Sequence, residues 1–195
     1  MTSVRNGGFI GDRGTLGKSA GGATTRFERS LLVLGGARSG KSRHAQAAAE
    51  AAGGTLVFIA TGQAFDAEMT ERIARHRADR GPAWRTCEAP LDLPGAIAAA
   101  DGPDTVLLVD CLTLWASNLL FADRDVEAAT DALMRALDAA QARVVLVANE
   151  VGWGIVPDNA LARRFRDLAG TMNQRVAAAV SRVDLVVAGL PLRLK

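Results

Sequence analysis

A three-layer α/β fold, a mainly parallel sheet with helices on both faces, follows from three features of the sequence. Short apolar runs alternate with longer segments of helical period, the pattern of strand–helix–strand units. The first run ends in a glycine-rich turn that opens directly into a helical pattern. Two later runs end in carboxylates, at Asp110 and at Asn149-Glu150. In parallel sheets, ligands gather at the carboxyl ends of the strands, so these residues are expected to converge.

The elements follow in order. Residues 1–28 hold seven glycines, six Ser/Thr and only an isolated apolar pair, Phe9-Ile10. Too little apolar surface is on offer to offset the ordering entropy, so a flexible extension is expected, with an ordered arm over a neighbouring subunit as the alternative. Residues 29–195 are expected to form a single domain. Leu31–Leu34 reads as a buried parallel strand and Ser42–Ala52 as an alanine-rich helix closed by Gly53-Gly54. Thr55–Ala60 is the second strand. Asp66–Arg80 is amphipathic, with Met69 and Ile73 on one face, and stops at Gly81-Pro82. A short strand is expected over Arg85–Glu88, a short helix over Leu93–Ala100, and a strand over Thr105–Val109. Helices follow over Leu112–Phe121 and Val126–Ala142, a strand over Val144–Ala148, a long helix over Asn159–Val180 and a last strand over Leu185–Ala188.

Composition narrows the function. The chain has 195 residues, 23 basic and 21 acidic. Four of the basic and two of the acidic residues lie in 1–28, so the rest is formally neutral. A broad nucleic-acid-binding face is therefore not expected. No apolar run reaches the roughly 18 residues of a membrane span. Cys87 and Cys111 have neither zinc nor C-x-x-C spacing, and free, buried thiols are expected. A cytoplasmic location fits these features.

The sharpest motif is Gly35-Gly36-Ala37-Arg38-Ser39-Gly40-Lys41-Ser42, a complete G-x-x-x-x-G-K-[ST] with a strand before it and a helix after it. Its backbone N–H groups suit a nest for phosphates, Lys41 suits the β- and γ-phosphates, and the Ser42 hydroxyl suits Mg²⁺. A look-alike at Gly11–Ser19 fails, because Asp12 stands where the first glycine belongs and no strand precedes it. Asp110, ending the run Thr105–Val109, reads as a Walker B carboxylate holding the same Mg²⁺. The fold class is thus of the P-loop NTPase type, RecA-like in its layers.

Other residues leave two readings open. Glu150 suits orienting a hydroxyl or a metal-bound water, or capping its own loop. His44, in the first turn of the phosphate-loop helix, reads as packing or surface. His76 stands among four arginines in Arg72–Arg80. It is either a solvated helix residue or a neutral imidazole placed to attack phosphorus. Arg163, Arg164 and Arg166 read as a solvated face or as a site for an anionic ligand or a neighbouring subunit.

Several blocks carry a more specific likeness: GGARSGKSRHA (35–45), Phe58–Thr61, Asp66–Met69 with Arg72, Ile73 and His76, and Trp84–Thr86. Further blocks are Asp110–Thr113 with Asn118–Leu120, Asn149–Gly152, Ile155–Pro157, Arg166-Asp167, Gly170 and Asn173–Arg175. In order, over about residues 31–195, they resemble the bifunctional adenosylcobinamide kinase/adenosylcobinamide-phosphate guanylyltransferases of cobalamin synthesis. The resemblance implies two reactions. A nucleoside triphosphate, ATP or GTP, phosphorylates the aminopropanol hydroxyl of adenosylcobinamide. GMP from GTP then passes through a guanylylated histidine to that phosphate, giving adenosylcobinamide-GDP. His76 matches the guanylylated position, where relatives can carry two adjacent histidines and this chain has Arg75-His76. The family's nucleotide contacts match loop 35–42, Ala60, Thr61, Gly62, Arg77, Ala78, Asp79, Arg80, Glu88 and Asp110. The family also implies a homo-oligomer, a trimer. Two readings compete: a plain P-loop kinase of a small metabolite, without a covalent histidine, and a non-enzymatic nucleotide-binding protein.

Overall fold

The computed structural model describes residues 29–63, 71 and 81–195. The extension 1–28 and, Glu71 apart, the helix expected over Asp66–Arg80 lie outside the described residues, and with them His76 and Arg77 to Arg80.

The described elements are β1 (Ser30–Gly35), α1 (Lys41–Ala52), β2 (Thr55–Ala60), β3 (Trp84–Glu88), α2 (Leu93–Ala100), β4 (Thr105–Asp110), α3 (Leu112–Phe121), α4 (Val126–Ala139), β5 (Arg143–Asn149), α5 (Ala160–Ala179), β6 (Arg182–Val187) and β7 (Leu190–Arg193). They build one seven-stranded sheet in the order β3-β2-β4-β5-β1-β6-β7. Every neighbouring pair is parallel except β6 with β7. The phosphate-loop strand β1 therefore lies inside the sheet, between β5 and β6.

Strand residues alternate between the two faces. Leu32, Leu34, Val57, Ile59, Leu107, Val109 and Leu146 face the large core with α2 to α5. Leu31, Val33, Phe58, Leu108, Val145 and Val147 face α1. Helix α1 meets the sheet through Ala45, Ala48, Ala49 and Ala52, one stripe at helical spacing. Methyl side chains let the helix sit close to the strands. Trp84 fixes the far side of that layer: its ring meets Phe58 edge to face at 6.4 Å, and its Nε1 donates to Glu50 Oε1 at 3.1 Å. In the other core Trp115 is fully buried, and its Nε1 donates to Leu91 O at 2.8 Å.

Two boundaries differ by three residues from the sequence reading and one strand is new, each for a physical reason. Helix α4 stops at Ala139 rather than running to Ala142. Ala140 is extended, and the Asp101 carboxylate accepts from Gln141 N and Ala142 N at 2.8–3.1 Å, offering those amides a partner outside the helix. Strand β6 starts at Arg182 rather than Leu185, because its charged residues pair in register with Leu31 and Val33 of β1. Strand β7 was not expected. Ala188 (φ 51°) and Gly189 (φ 82°) make the two-residue left-handed turn that returns the chain as a hairpin. Pro191 reads as a strand breaker from sequence alone, but on an edge strand its missing N–H costs nothing.

Candidate active site

The loop after β1 takes its shape from backbone sterics. Arg38 (φ 55°) and Gly40 (φ 94°) are left-handed, which turns successive N–H groups towards one side as an anion nest. Holding a non-glycine residue such as Arg38 there costs about 1–2 kcal/mol. Gly35 has no room for a side chain: a Cβ would lie 2.5 Å from Ser39 Oγ and 2.7 Å from Val186 O. Lys41 opens α1, is buried, and its ammonium donates to Gly36 O at 3.1 Å, curling over the loop. Ser42 follows, half-buried, in the first turn. The buried Ser39 hydroxyl has no hydrogen-bond partner among the described residues. A loop built to wrap an oxygen-rich group fits these features.

The carboxyl edge of the sheet brings the other expected residues beside it. Ala60, Glu88 and Asp110 share one register row across β3, β2 and β4. Strand β5 lies between β4 and β1 and ends in Asn149-Glu150, next to the loop. Asn149 pairs with Gly35, and Glu150 N donates to Gly35 O at 3.1 Å. Glu150 thus stands nearer the phosphate loop in the sheet than Asp110 does. Both carboxylates are half-buried.

Thr61 is placed differently from its neighbours. It is fully buried, and its hydroxyl is taken by the backbone of Cys111, donating to Cys111 O and accepting from Cys111 N, both at 2.8 Å. Thr61 O accepts from Asn118 Nδ2 at 2.7 Å. The side chain therefore fixes the turn after Asp110, and Ala60 and Gly62 offer the more open surface. The peptide between Asp110 and Cys111 is cis. Burial, with the Asp110 charge adding to it, pushes the Cys111 thiol up to about 11, so it is protonated at neutral pH and unsuited to nucleophilic attack. Cys87 and Cys111 are both free, as the sequence implies, although Cys87 is only half-buried.

Three residues of the family-like blocks, Thr113, Asn118 and Asn173, have supporting contacts that the sequence reading did not assign. Thr113 Oγ1 accepts from Asn149 N at 2.7 Å. Asn173 Nδ2 lies 3.3 Å from both Asn149 O and Glu150 Oε1 and donates to them. Asn118 ties Thr61 O to Pro90 O. The signal was present as polar residues inside otherwise apolar helix faces, but their partners are distant in sequence. Arg163 and Arg166 resolve towards structure: Arg163 donates to Pro157 O and Asp158 O, and Arg166 pairs with neighbouring Asp167. Asp184, which the sequence reading did not single out, is wholly buried on β6 and bonded to Arg182 and His44.

For Mg²⁺, the hydroxyl of Ser42 and the carboxylate of Asp110 are hard oxygen donors of the right type. Among the described residues no group of three or more His, Cys, Asp or Glu gathers into an all-protein cage. One or two protein oxygens completed by phosphate oxygens is the arrangement Mg²⁺ favours, so these residues fit it.

Comparison with known proteins agrees with this fold. The structure is similar to the assembled ATPase EscN of the enteropathogenic E. coli type III secretion system, with a TM-score of 0.53 and 11% identity over 82% of this chain. A second type III secretion ATPase gives a TM-score of 0.51 at 12% identity over 86% of this chain. The chain spans 43% and 57% of those two chains, and the likeness shows the P-loop NTPase fold alone. By sequence, the chain is 47% identical over 84% of its length to the bifunctional adenosylcobalamin biosynthesis protein CobP of Pseudomonas aeruginosa, covering 96% of it. It is 45% identical over 85% of its length to the bifunctional adenosylcobalamin biosynthesis protein CobU of Salmonella typhimurium, covering 99% of it. A family description matches residues 31–194, from the first residues of β1 to the end of the hairpin, and on that match the chain belongs to the cobinamide kinase / cobinamide phosphate guanyltransferase family.

Proposed function

We propose that this protein phosphorylates adenosylcobinamide with a nucleoside triphosphate and then transfers GMP from GTP to the product, in cobalamin biosynthesis. The observation that carries this reading is the family match, which spans the phosphate loop and the carboxyl-edge residues alike. In the kinase step, loop 35–42 and Lys41 hold the β- and γ-phosphates so that the acceptor hydroxyl attacks in line, and positioning and charge stabilisation supply most of the rate. Ser42 and Asp110 would hold Mg²⁺, which would supply neutralisation of phosphate charge. Glu150, bonded to Asn173 and seated beside the loop, is the candidate for orienting the hydroxyl.

In the second step His76 acts as nucleophile. A neutral imidazole has a free lone pair near pH 7 and needs little activation. It attacks the α-phosphorus of GTP, an N–P bond forms, the bond to the β-phosphate oxygen breaks, and pyrophosphate leaves. An oxygen of adenosylcobinamide phosphate then attacks the same phosphorus and the N–P bond breaks. Arg77 and Arg80 suit stabilising the charge on the α-phosphoryl oxygens, with Ala78, Asp79, Glu88 and the Ala60–Gly62 stretch completing the nucleotide contacts. We place the activity in the cytoplasm; no helix among the described residues is long and apolar enough to cross a membrane. A homo-oligomer suits the exposed Val187, Leu190, Leu192 and Leu194 of the β6–β7 edge.

Incubation with α-labelled GTP and Mg²⁺ is expected to label the protein through an acid-labile, base-stable bond. His76→Ala abolishes the label while keeping kinase activity. Undiminished labelling of that variant removes His76 from the nucleophile's role.

A further inference from the structure

The phosphate loop is braced from the side by the hairpin β6–β7, once at its turn and once along β6. At the turn, Gly189 N donates to Ser39 O at 2.8 Å, and a Cβ on Gly40 would lie 3.3 Å from Gly189 Cα. The two backbones are in direct contact there. Near the start of β6, Asp184 is fully buried and accepts three charge-assisted hydrogen bonds. Two come from Arg182, Nε to Oδ1 at 2.8 Å and Nη2 to Oδ2 at 2.7 Å. The third comes from His44 Nε2, at 2.8 Å from Oδ2. His44 lies in the first turn of α1, and its backbone N–H bonds Gly40 O at 3.0 Å. One hairpin thus holds the loop through Gly189 and the helix behind the loop through His44.

We propose that His44 is a positioning residue for the phosphate loop: acting through Asp184, it locks the first turn of α1 to the β6–β7 hairpin and so keeps the loop in the shape that grips a triphosphate. This rests on the reading of residues 35–42 as a triphosphate site. The His44 ring is 14% exposed by side chain and Asp184 is not exposed at all, so the contact is shielded from competing water. The Asp184 carboxylate fixes the tautomer as well, because the nitrogen facing it must carry the proton. Arg182 by itself neutralises the Asp184 charge with two bonds. Removing the His44 bond therefore strands no buried charge and spares the fold, whereas removing Asp184 would take a buried carboxylate away from Arg182, itself 11% exposed. The bond from His44 is thus free to serve geometry rather than charge balance.

The test compares full-length wild type with His44→Leu, His44→Asn and His44→Gln by titration of GTP and of GMP in Mg²⁺, with Tm recorded for each. The loop acts on the β- and γ-phosphates, so its distortion weakens GTP more than GMP. His44→Leu is expected to weaken GTP about tenfold, the scale of one hydrogen bond to a charged group, with GMP changed less than about twofold. His44→Asn, too short to reach Asp184, behaves alike and serves should the leucine variant not fold. His44→Gln, whose amide N–H reaches the place of Nε2, restores GTP affinity to within about twofold of wild type. Wild-type GTP affinity in the leucine and asparagine variants, an equal weakening of GTP and GMP alongside a fall in Tm, or no rescue by glutamine overturns the inference. A wild-type chain that does not prefer GTP to GMP overturns the phosphate-loop reading, and the inference with it.

Discussion

At Gly35 the backbone itself decides which residue is allowed. A methyl group there would meet Ser39 Oγ, which can rotate away, and Val186 O at 2.7 Å, which cannot, because it belongs to the neighbouring strand. Gly35→Ala is therefore expected to lower stability by about 1–3 kcal/mol and to weaken triphosphate binding. Urea denaturation and nucleotide titration check both, and a wild-type midpoint with wild-type affinity would contradict the close approach. Loop residues of this kind were legible in the sequence because glycine spacing reports backbone conformation directly. Asp184 and His44 were not. A charged residue between valine and leucine in a short strand, and a histidine in an alanine-rich helix, each look like surface until pairing across 140 positions makes them partners.

Helices α2, α4 and α5 start where a side chain meets the first free amides. Asp92 accepts from Gly95 N, Asp125 from Glu127 N and Ala128 N, and Asn159 from Ala162 N. Asn159→Ala should cost about 1 kcal/mol of stability through the first turn of α5, measured by chemical denaturation. An unchanged midpoint would mean that Arg163, bonded to Pro157 O and Asp158 O, holds that turn unaided. The starts of α2, α4 and α5 were readable to within a residue. The end of α4 was not, because what stops it is Asp101, near the start of a distant strand. The β6–β7 hairpin was hidden for a similar reason. Its turn runs through Ala188, which does not announce a left-handed conformation, and its second strand contains a proline.

Over the whole molecule, two buried or partly buried carboxylates make stability depend on acid. Burial alone would raise Asp184, but the hydrogen bonds from Arg182 and His44 outweigh it and hold the carboxyl below its ordinary range. Burial likewise works against Asp101, and the amides of Ala142, Gln141 and Gly102 overcome it. A carboxyl lowered in the folded state contributes its stability above the ordinary value, about 4, and loses it as pH falls through the lowered one. Tm is therefore expected to fall as pH drops from about 5 towards 3. Asp101→Asn, which keeps an acceptor but no charge, should flatten part of that slope. A slope unchanged in this variant would remove Asp101 from the account.

The class of fold, the place of the phosphate loop and the carboxylates at the ends of β4 and β5 were legible in the residues alone. Apolar period, glycine spacing and chain order are local properties, and they survive without knowledge of what packs on what. Packing in three dimensions settled the strand order, which inserts β5 between the phosphate-loop strand and Asp110 and so brings Glu150 beside the loop. It also decided that Thr61, Thr113, Asn118 and Asn173 serve the site as supports, and that His44 and Asp184 join helix to hairpin. Such pairings bring together residues far apart in the chain, and the hydrogen bond that favours each exists only once both strands or helices are in place.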